Sequence, residues 1–411
     1  MKESFLIIVG GGILSMPAYR IAREELGVKI ISFDQDISSP GMLYADLPIQ
    51  VSTKDIVAVV QKTKELMKHH SIIGVFTCGA DVEVTVSAIS ETLGLSNTVS
   101  LDVAKRCNDK LLMHQFLDEI GFDQKPKYRT VQNFSSLVCA VKEIGYPCVI
   151  KPIDNCASRG VQIVFEEKEL ESAYDLASSF KINSSTNLLL EEYLQGSKHT
   201  VEMICYKGDW HVLSIVDTHY ISPVWPCEIG LNTTTLNQQQ QNIVTNFAIH
   251  AAKSIGIDIG AHKVDINLSE KNEVRLIELT ARLSGGFHCQ YASPLAFGSS
   301  DIKAALKIAI GYDLCLEDIK HKFNRGAAVR CVFPPTGKIT SIEGVEDARQ
   351  MPGVAEVFVW KKVGDRVGPY HNSSDRFAFV IASGTDTETA ISNAEQAILK
   401  IKIQTIGDQD E

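Results

Sequence analysis

Lys151 closes a short β-rich run, Cys148-Val149-Ile150, and Pro152 after it has no N–H to offer a ladder, so the strand ends there. Small and polar residues fill 154–160, with Arg159 among them, and a second β-rich run covers 161–165. A strand, a pliant loop and a strand, with a lysine at one end and an arginine inside, suit a phosphate. Small side chains let backbone N–H groups approach the oxygens, and the cations offset their charge. An ordinary polar hairpin with a solvated Arg159 is the alternative, and this stretch alone leaves the two open.

A second group of chemistry-bearing residues lies in two β runs, 262–268 and 274–280, flanking a turn at 270–273. With the turn centred between Lys271 and Asn272, Asp265 faces Glu278. Strand alternation then puts Val264, Ile266 and Leu268 with Ile277 and Leu279 on an apolar face, and Lys263, Asp265, Asn267, Glu278 and Thr280 on the other. Carboxylates directly opposite each other have Cβ atoms only ~5 Å apart, so one is protonated or a cation bridges them. Oxygen-rich surroundings of this kind suit Mg²⁺. A one-residue slip in register would leave unrelated charges facing solvent instead. Arg282 follows at once, leading into Ser284-Gly285-Gly286, where a guanidinium is well placed to hold an anion.

Several elements must position these residues. Residues 5–9 read as a buried strand, Gly10-Gly11-Gly12 as a tight turn, 16–26 as a helix and 28–33 as a strand closed by Asp34-Gln35-Asp36. That order opens a doubly wound nucleotide-binding fold. Ser15 holds the third glycine position of a dinucleotide fingerprint, which makes a dinucleotide-dependent oxidoreductase the weakest reading. A strand at 72–77 leads through Cys78-Gly79-Ala80-Asp81 into a helix. Residues 102–120 read as one helix with Lys110 in its middle, and a solvated lysine is the plainer reading of that residue alone. A strand at 128–131, a helix at 134–144, a helix at 167–180 and a strand at 188–190 running into Glu191 follow. Residues 200–206 and 210–216 pair as a hairpin, 220–235 is irregular and contains Pro223, Pro226 and Glu228, and 239–255 is a helix. Beyond 324 the pattern changes to a separate small α+β domain with strands at 327–333, 354–361 and 377–383.

The chain has 411 residues, enough for two to four domains. Its net charge of −10 argues against a general nucleic-acid or anionic-membrane surface. None of the ten cysteines sits at zinc-type spacing, and no apolar stretch is long enough to span a bilayer, so a cytoplasmic protein with reduced thiols is expected.

Taken together, these motifs resemble the ATP-grasp superfamily of carboxylate–amine ligases, and most closely its L-amino acid ligase group. The resemblance implies an α/β and α+β chain: a doubly wound pre-ATP-grasp domain at 1–100, ATP-grasp subdomains at 101–190 and 191–323, and a lid-like domain at 324–411. It implies ATP with Mg²⁺, or Mn²⁺ in its place. Lys110 and Lys151 match the two ATP lysines. Ser158, Arg159, Gly160 and Val161 match the lid loop, and Glu191, Glu192, Tyr193 and Leu194 match the hinge that reads adenine. Asp265 and Glu278 match the metal acids, and Arg282 matches the arginine that steadies the transferred phosphate; Arg282 and Lys151 are the expected catalytic residues. Gly11, Gly12, Glu202, Glu228 and Arg282 are the expected substrate side. Five positions depart from the pattern. Cys156-Ala157 replaces glycine or serine, Lys198 replaces a ribose-binding glutamate, Thr280 replaces an asparagine, and Asp265 is one methylene shorter than the usual glutamate. The implied reaction forms an amide through an acyl phosphate from amino-acid or small-acid substrates. A bicarbonate-using carboxylase of the purine type and a nucleotide-binding module without turnover are the alternatives. Expected partners are a small-molecule acid and amine, with a homodimer allowed and no nucleic acid or membrane.

Overall fold

The computed structural model describes residues 3–221, 227–370 and 372–407. The apolar run at the start forms β1 (Ser4–Val9), whose last five residues are all buried, as in parallel strands covered on both faces. With β2 (Lys29–Asp34), β3 (Leu47–Gln50) and β4 (Ser71–Phe76) it builds a parallel sheet in the order β3-β2-β1-β4. Gly11 sits just past β1 because backbone must pass close there. Its N–H donates to Asp34 Oδ2 at 2.7 Å, and a Cβ on it would stand 2.5 Å from Ser39 Oγ. The acid that a dinucleotide fold offers to a ribose is therefore engaged by the protein's own backbone.

A second sheet, antiparallel, is made of β5 (Tyr128–Val131), β6 (Cys148–Pro152), β7 (Gln162–Val164) and β8 (Leu188–Glu192), in the order β5-β8-β6-β7. Helices Phe134–Ile144 and Leu170–Ser179 bury one face, where Leu137, Val141 and Leu170 pack on Cys148, Ile150 and Leu190. Alternation along the strands turns Val149, Lys151 and Glu191 to the opposite face.

The third sheet is long. It takes β9 (Ser197–Tyr206), β10 (Asp209–Tyr220), β11 (Glu228–Thr233), β12 (Gly260–Leu268) and β13 (Val274–Thr280). Beyond these, β14 (Gly326–Val332), β16 (Val354–Val359) and β18 (Ala378–Gly384) continue it, in the order β13-β12-β9-β10-β11-β14-β18-β16. The remaining strands β15 (Gly337–Glu343), β17 (Arg366–Val367) and β19 (Lys402–Ile406) form a small sheet beside it. The C-terminal α+β part is present, and its strand β14 pairs with β11 through Leu231 and Val329.

Three local expectations change. Residues 102–120 are two helices, Leu101–Asn108 and Lys110–Glu119, broken at the extended Asp109. The periodicity runs on across the break, but Asp109 ends the first helix and caps the second, its carboxylate accepting from the N–H groups of Leu111 and Leu112 at 2.8 and 2.9 Å. Part of the stretch expected to be irregular is strand, since β10 reaches Tyr220 and β11 starts at Glu228; Pro223 and Pro226 lie outside the described residues. The hairpin β12–β13 has the expected register from Lys263 opposite Thr280 to Asp265 opposite Glu278, and then a bulge shifts it so that Ile266 faces Leu276. Leu276 joins Val264, Ile266, Leu268 and Leu279 in the core, and Ile277 turns to the other side.

The break at Asp109 yields a prediction. Asp109→Ala should cost about 1 kcal/mol of stability through loss of the cap. Asp109→Asn, also a good cap, should retain most of it; equal melting temperatures for the Ala variant and wild type would show that the cap contributes nothing.

Candidate active site

The long sheet and the sheet β5–β8 face each other across a cleft of about 1150 Å³, closed at one end by Leu14, Gly79 and Asp81 of the first domain. On its floor Asp265 and Glu278 lie opposite each other, as the hairpin requires. Each has a cation of its own. The Lys263 ammonium bonds Asp265 Oδ2, while Thr200 Oγ1 donates to Asp265 Oδ1 at 2.6 Å. Lys110 Nζ stands 3.1 Å from Glu278 Oε1. Burial pushes the Glu278 carboxyl up, but Lys110 and Lys263 outweigh it and hold it at about 2. The repulsion expected between the two acids is thus already answered by two lysines. Lys110 is no solvated helix lysine; the break at Asp109 puts it at the first position of a helix and inside the cleft.

The donor set fits a divalent cation that arrives with phosphate oxygens. Mg²⁺ commonly takes only one or two protein carboxylates and completes its shell with phosphate and water. Among the described residues no three metal-ligating side chains cluster, so the site is not a self-sufficient cage. Beside the two acids, Thr280 Oγ1 is buried without a hydrogen-bond partner among the described residues.

The roof carries Lys151. Its Nζ lies 2.6 Å from Glu191 Oε2, and Glu191 Oε1 is 2.8 Å from His114 Nε2. Burial favours a neutral Glu191, yet Lys151 and His114 together hold it charged, near 2. Glu191 therefore orients Lys151. Its neighbour Glu192 meets Arg275 Nη2 at 3.0 Å. Both hinge glutamates thus have partners within the protein, leaving Tyr193 and Leu194 along the cleft wall. Lys198 donates to the Leu194 carbonyl, and burial draws its pKa down to about 8.

The loop 154–160 is anchored rather than free. Asp154 accepts from Asn183 N at 3.0 Å and Thr186 Oγ1 at 2.9 Å, and Lys110 Nζ donates to Asn155 O at 3.0 Å. Ser373 N donates to Ala157 O at 3.1 Å, which ties the loop to the C-terminal part. Gly160 has φ +74°, and a Cβ there would stand 2.7 Å from Phe180 Cβ. Ser158, Arg159 and Val161 line the cleft.

Arg282 is buried, its Nη2 bonded to Asp81 and its Nη1 donating to Leu283 O at 3.0 Å. Burial opposes the charge on Asp81, but Arg282 and the Cys156 thiol hold its pKa far below the usual range. Nε of Arg282 has no hydrogen-bond partner among the described residues. The expected substrate residues separate. Glu228 lines the cleft; Gly11 and Gly12 do not, and neither does Glu202. Glu202 is fully buried behind the Arg282 segment, accepting from Ser284 N and lying 3.5 Å from His288 Nδ1. Burial raises its pKa to about 7 and lowers that of His288 to about 4. It holds the backbone that carries Arg282. Asp81, His114 and Arg376 carry no role in the sequence reading, and Lys263 appears there only as a neighbour of Asp265. Asp81 had a usable signal, an acid just past the end of a parallel strand, where such sheets bind ligands.

Comparison with known proteins adds to this geometry. Residues 144–290 match an ATP-grasp domain, and residues 330–405 match the L-amino acid ligase C-terminal domain 2. An uncharacterized protein, y4rH, of Sinorhizobium fredii is 26% identical over 85% of this chain and 72% of its own length. The formate-dependent phosphoribosylglycinamide formyltransferase of a Janthinobacterium species is 22% identical over 96% of this chain and 94% of its own. The fold is shared with the crystal structure of the L-amino acid ligase from Bacillus licheniformis, at a TM-score of 0.84 and 19% identity over 99% of this chain and 100% of that one. No helix among the described residues is long and apolar enough to cross a membrane.

Two predictions come from the buried pairs. Lys151→Ala should destabilise the protein by about 3 kcal/mol even without nucleotide, because Glu191 then keeps its charge without its main partner. Adding Glu191→Gln should restore part of the melting temperature, and no recovery would mean that the pair is not what the structure leans on. Glu202 has a raised folded pKa, so its contribution to stability is full below the unfolded value near 4.5 and is lost as pH rises through about 7. The melting temperature of Glu202→Gln relative to wild type should therefore climb between pH 5 and pH 8; a constant offset would contradict a buried neutral Glu202.

Proposed function

Since the chain belongs to the ATP-grasp superfamily, whose domain it matches over residues 144–290, we propose that it is an ATP-dependent, ADP-forming ligase that joins a small carboxylic acid, most simply an amino acid, to an amine. The observation that carries this reading is the convergence of Asp265, Glu278, Lys110, Lys151 and Arg282 on one cleft beneath the loop 154–160. Lys151, oriented by Glu191, and Lys110, oriented by Glu278, offer positive charge to the phosphates of ATP. When bound, a divalent cation on Asp265 and Glu278 neutralises phosphate oxygens. The substrate carboxylate attacks the γ-phosphorus, the bond to the β-phosphate oxygen breaks, and an acyl phosphate and ADP result. Arg282, gripped by Asp81 and lining the cleft, adds positive charge at the transferred phosphate. The amine then adds to the acyl carbon, loses a proton and expels phosphate, leaving an amide. Positioning and charge compensation do the catalytic work, and the loop keeps out water that would hydrolyse the acyl phosphate.

The test is a matrix of amino acids and small acids, formate and bicarbonate included, against amines, read by phosphate release and mass spectrometry. Amide products from amino acids support the proposal, whereas turnover with labelled bicarbonate alone would move the protein to the carboxylases. In the productive pair, Glu278→Gln should lower turnover at least ~100-fold, since its role is to compensate charge that develops in phosphoryl transfer. Adding Asp265→Asn should cost little more, because groups that act as one unit are not additive. Additive losses in the double variant would mean that the two acids work separately.

A further inference from the structure

Away from the residues that meet phosphate, the wall of the cleft carries a second constellation. Ser197 and His199 are alternate residues of β9, so both side chains turn to one face, and Asp217 on β10 lies directly opposite His199. All three line the cleft. Ser197 Oγ is 2.6 Å from His199 Nε2, and His199 Nδ1 is 2.8 Å from Asp217 Oδ1. Ser197 is exposed, while His199 and Asp217 are buried.

The partners fix where the protons sit. Burial opposes a charge on Asp217, but hydrogen bonds from His199, Thr234 and Thr235 hold its carboxyl below the usual range. Its Oδ1 accepts from Thr234 Oγ1 at 2.7 Å, and its Oδ2 accepts from Thr235 N at 2.8 Å and Thr235 Oγ1 at 2.7 Å. A carboxylate only accepts, so in the neutral ring Nδ1 of His199 carries the proton and Nε2 presents a lone pair. The Ser197 hydroxyl donates to that lone pair. Its other acceptor, Leu268 O, is 3.4 Å away and competes weakly. The order is that of nucleophile, base and orienting acid. Asn267 Nδ2 donates to Ser197 O at 3.3 Å and steadies the backbone that carries the hydroxyl. Gln195 and Gly196, just before it, are exposed, and neither N–H donates to a described residue, which leaves backbone donors beside the hydroxyl for a carbonyl oxygen.

We propose that Ser197, His199 and Asp217 form a nucleophilic triad that hydrolyses small carboxylic esters without ATP. His199 Nε2 takes the proton as Ser197 Oγ bonds to the carbonyl carbon of the ester. The tetrahedral oxyanion then expels the alkoxide, which takes the proton from His199 and leaves as an alcohol, and the acyl group stays on Ser197. Water adds to the acyl carbon and gives its proton to His199; the bond to Ser197 Oγ breaks, and Oγ takes that proton back. Ester and water have become acid and alcohol, and no oxidant, reductant or nucleotide is consumed. An ester suits the site better than an amide, since an alkoxide departs more readily than an amine. Only Ser197 of the three is exposed, and Gly196 puts no side chain beside it, so a small acyl group can reach the hydroxyl.

The experiment treats the intact chain, without nucleotide, with a fluorophosphonate and with p-nitrophenyl acetate. Mass spectrometry should find the phosphonyl group on Ser197, and ester hydrolysis should begin with a burst of nitrophenol as the acyl-enzyme forms. Ser197→Ala should remove the label and lower the hydrolysis rate at least ~100-fold, because base-assisted attack by the serine is lost. Asp217→Asn should lower kcat more than ~10-fold with KM nearly unchanged, since it frees His199 to take the other tautomer without touching the ester. Should that variant fail to fold, Ser197→Ala, at an exposed position, decides alone. Equal hydrolysis by wild-type protein and Ser197→Ala, or a label confined to other residues, overturns the triad and makes His199 a hydrogen-bonded member of the sheet alone. Neither result touches the ligase reading, which rests on other residues.

Discussion

The cleft depends on four cations that have each been given a carboxylate. Lys151 pairs with Glu191, Lys110 with Glu278, Lys263 with Asp265 and Arg282 with Asp81. A buried charge without a partner costs several kcal/mol, more than most single contacts return, so such a collection of cations would not fold unless it were balanced. The balance is struck between elements distant in sequence. Asp81 comes from the first sheet, Lys110 from the start of a helix, Glu191 from the second sheet and Glu278 from the third. Compensating the charges therefore also brings the three sheets together around one space.

Much of this arrangement can be read along the chain. Asp265 and Glu278 were legible because alternation in a hairpin follows from counting by two, and the count holds as far as that pair. Lys151 was legible because its proline and its loop are adjacent to it. What escaped was of two kinds. Asp109 breaks a helix without breaking its apolar period, so the pattern cannot tell one helix from two end to end. The bulge at Ile277 adds a residue that a fixed register has no means of including. The other kind is distance: His114 meets Glu191, and Arg376 meets Glu228, across separations that no local spacing encodes. Glu202 misleads for a related reason, because a carboxylate behind the site and one inside it look alike in a sequence.

The C-terminal part keeps a core of its own while sharing a sheet with the rest of the chain. Its composition does change, and its core of Val357, Val380, Ala390 and Ala394 is distinct. Yet strands are joined by backbone, which is blind to composition, and β14 pairs with β11 on one side as well as with β18 on the other.

That continuity governs how the molecule can breathe. An unbroken ladder from β13 to β16 behaves as a stiff beam, and bending it between β11 and β14 would rupture the pairing at Gly230, Leu231 and Asn232. The sheet β5–β8 shares no ladder with that beam and is joined to it in chain order across residues 193–196. In this joint Gly196 adopts φ +126°, and a Cβ there would press to 2.2 Å from Leu268 O. The chain thus combines one continuous base sheet with a second sheet joined to it at a point where only glycine fits.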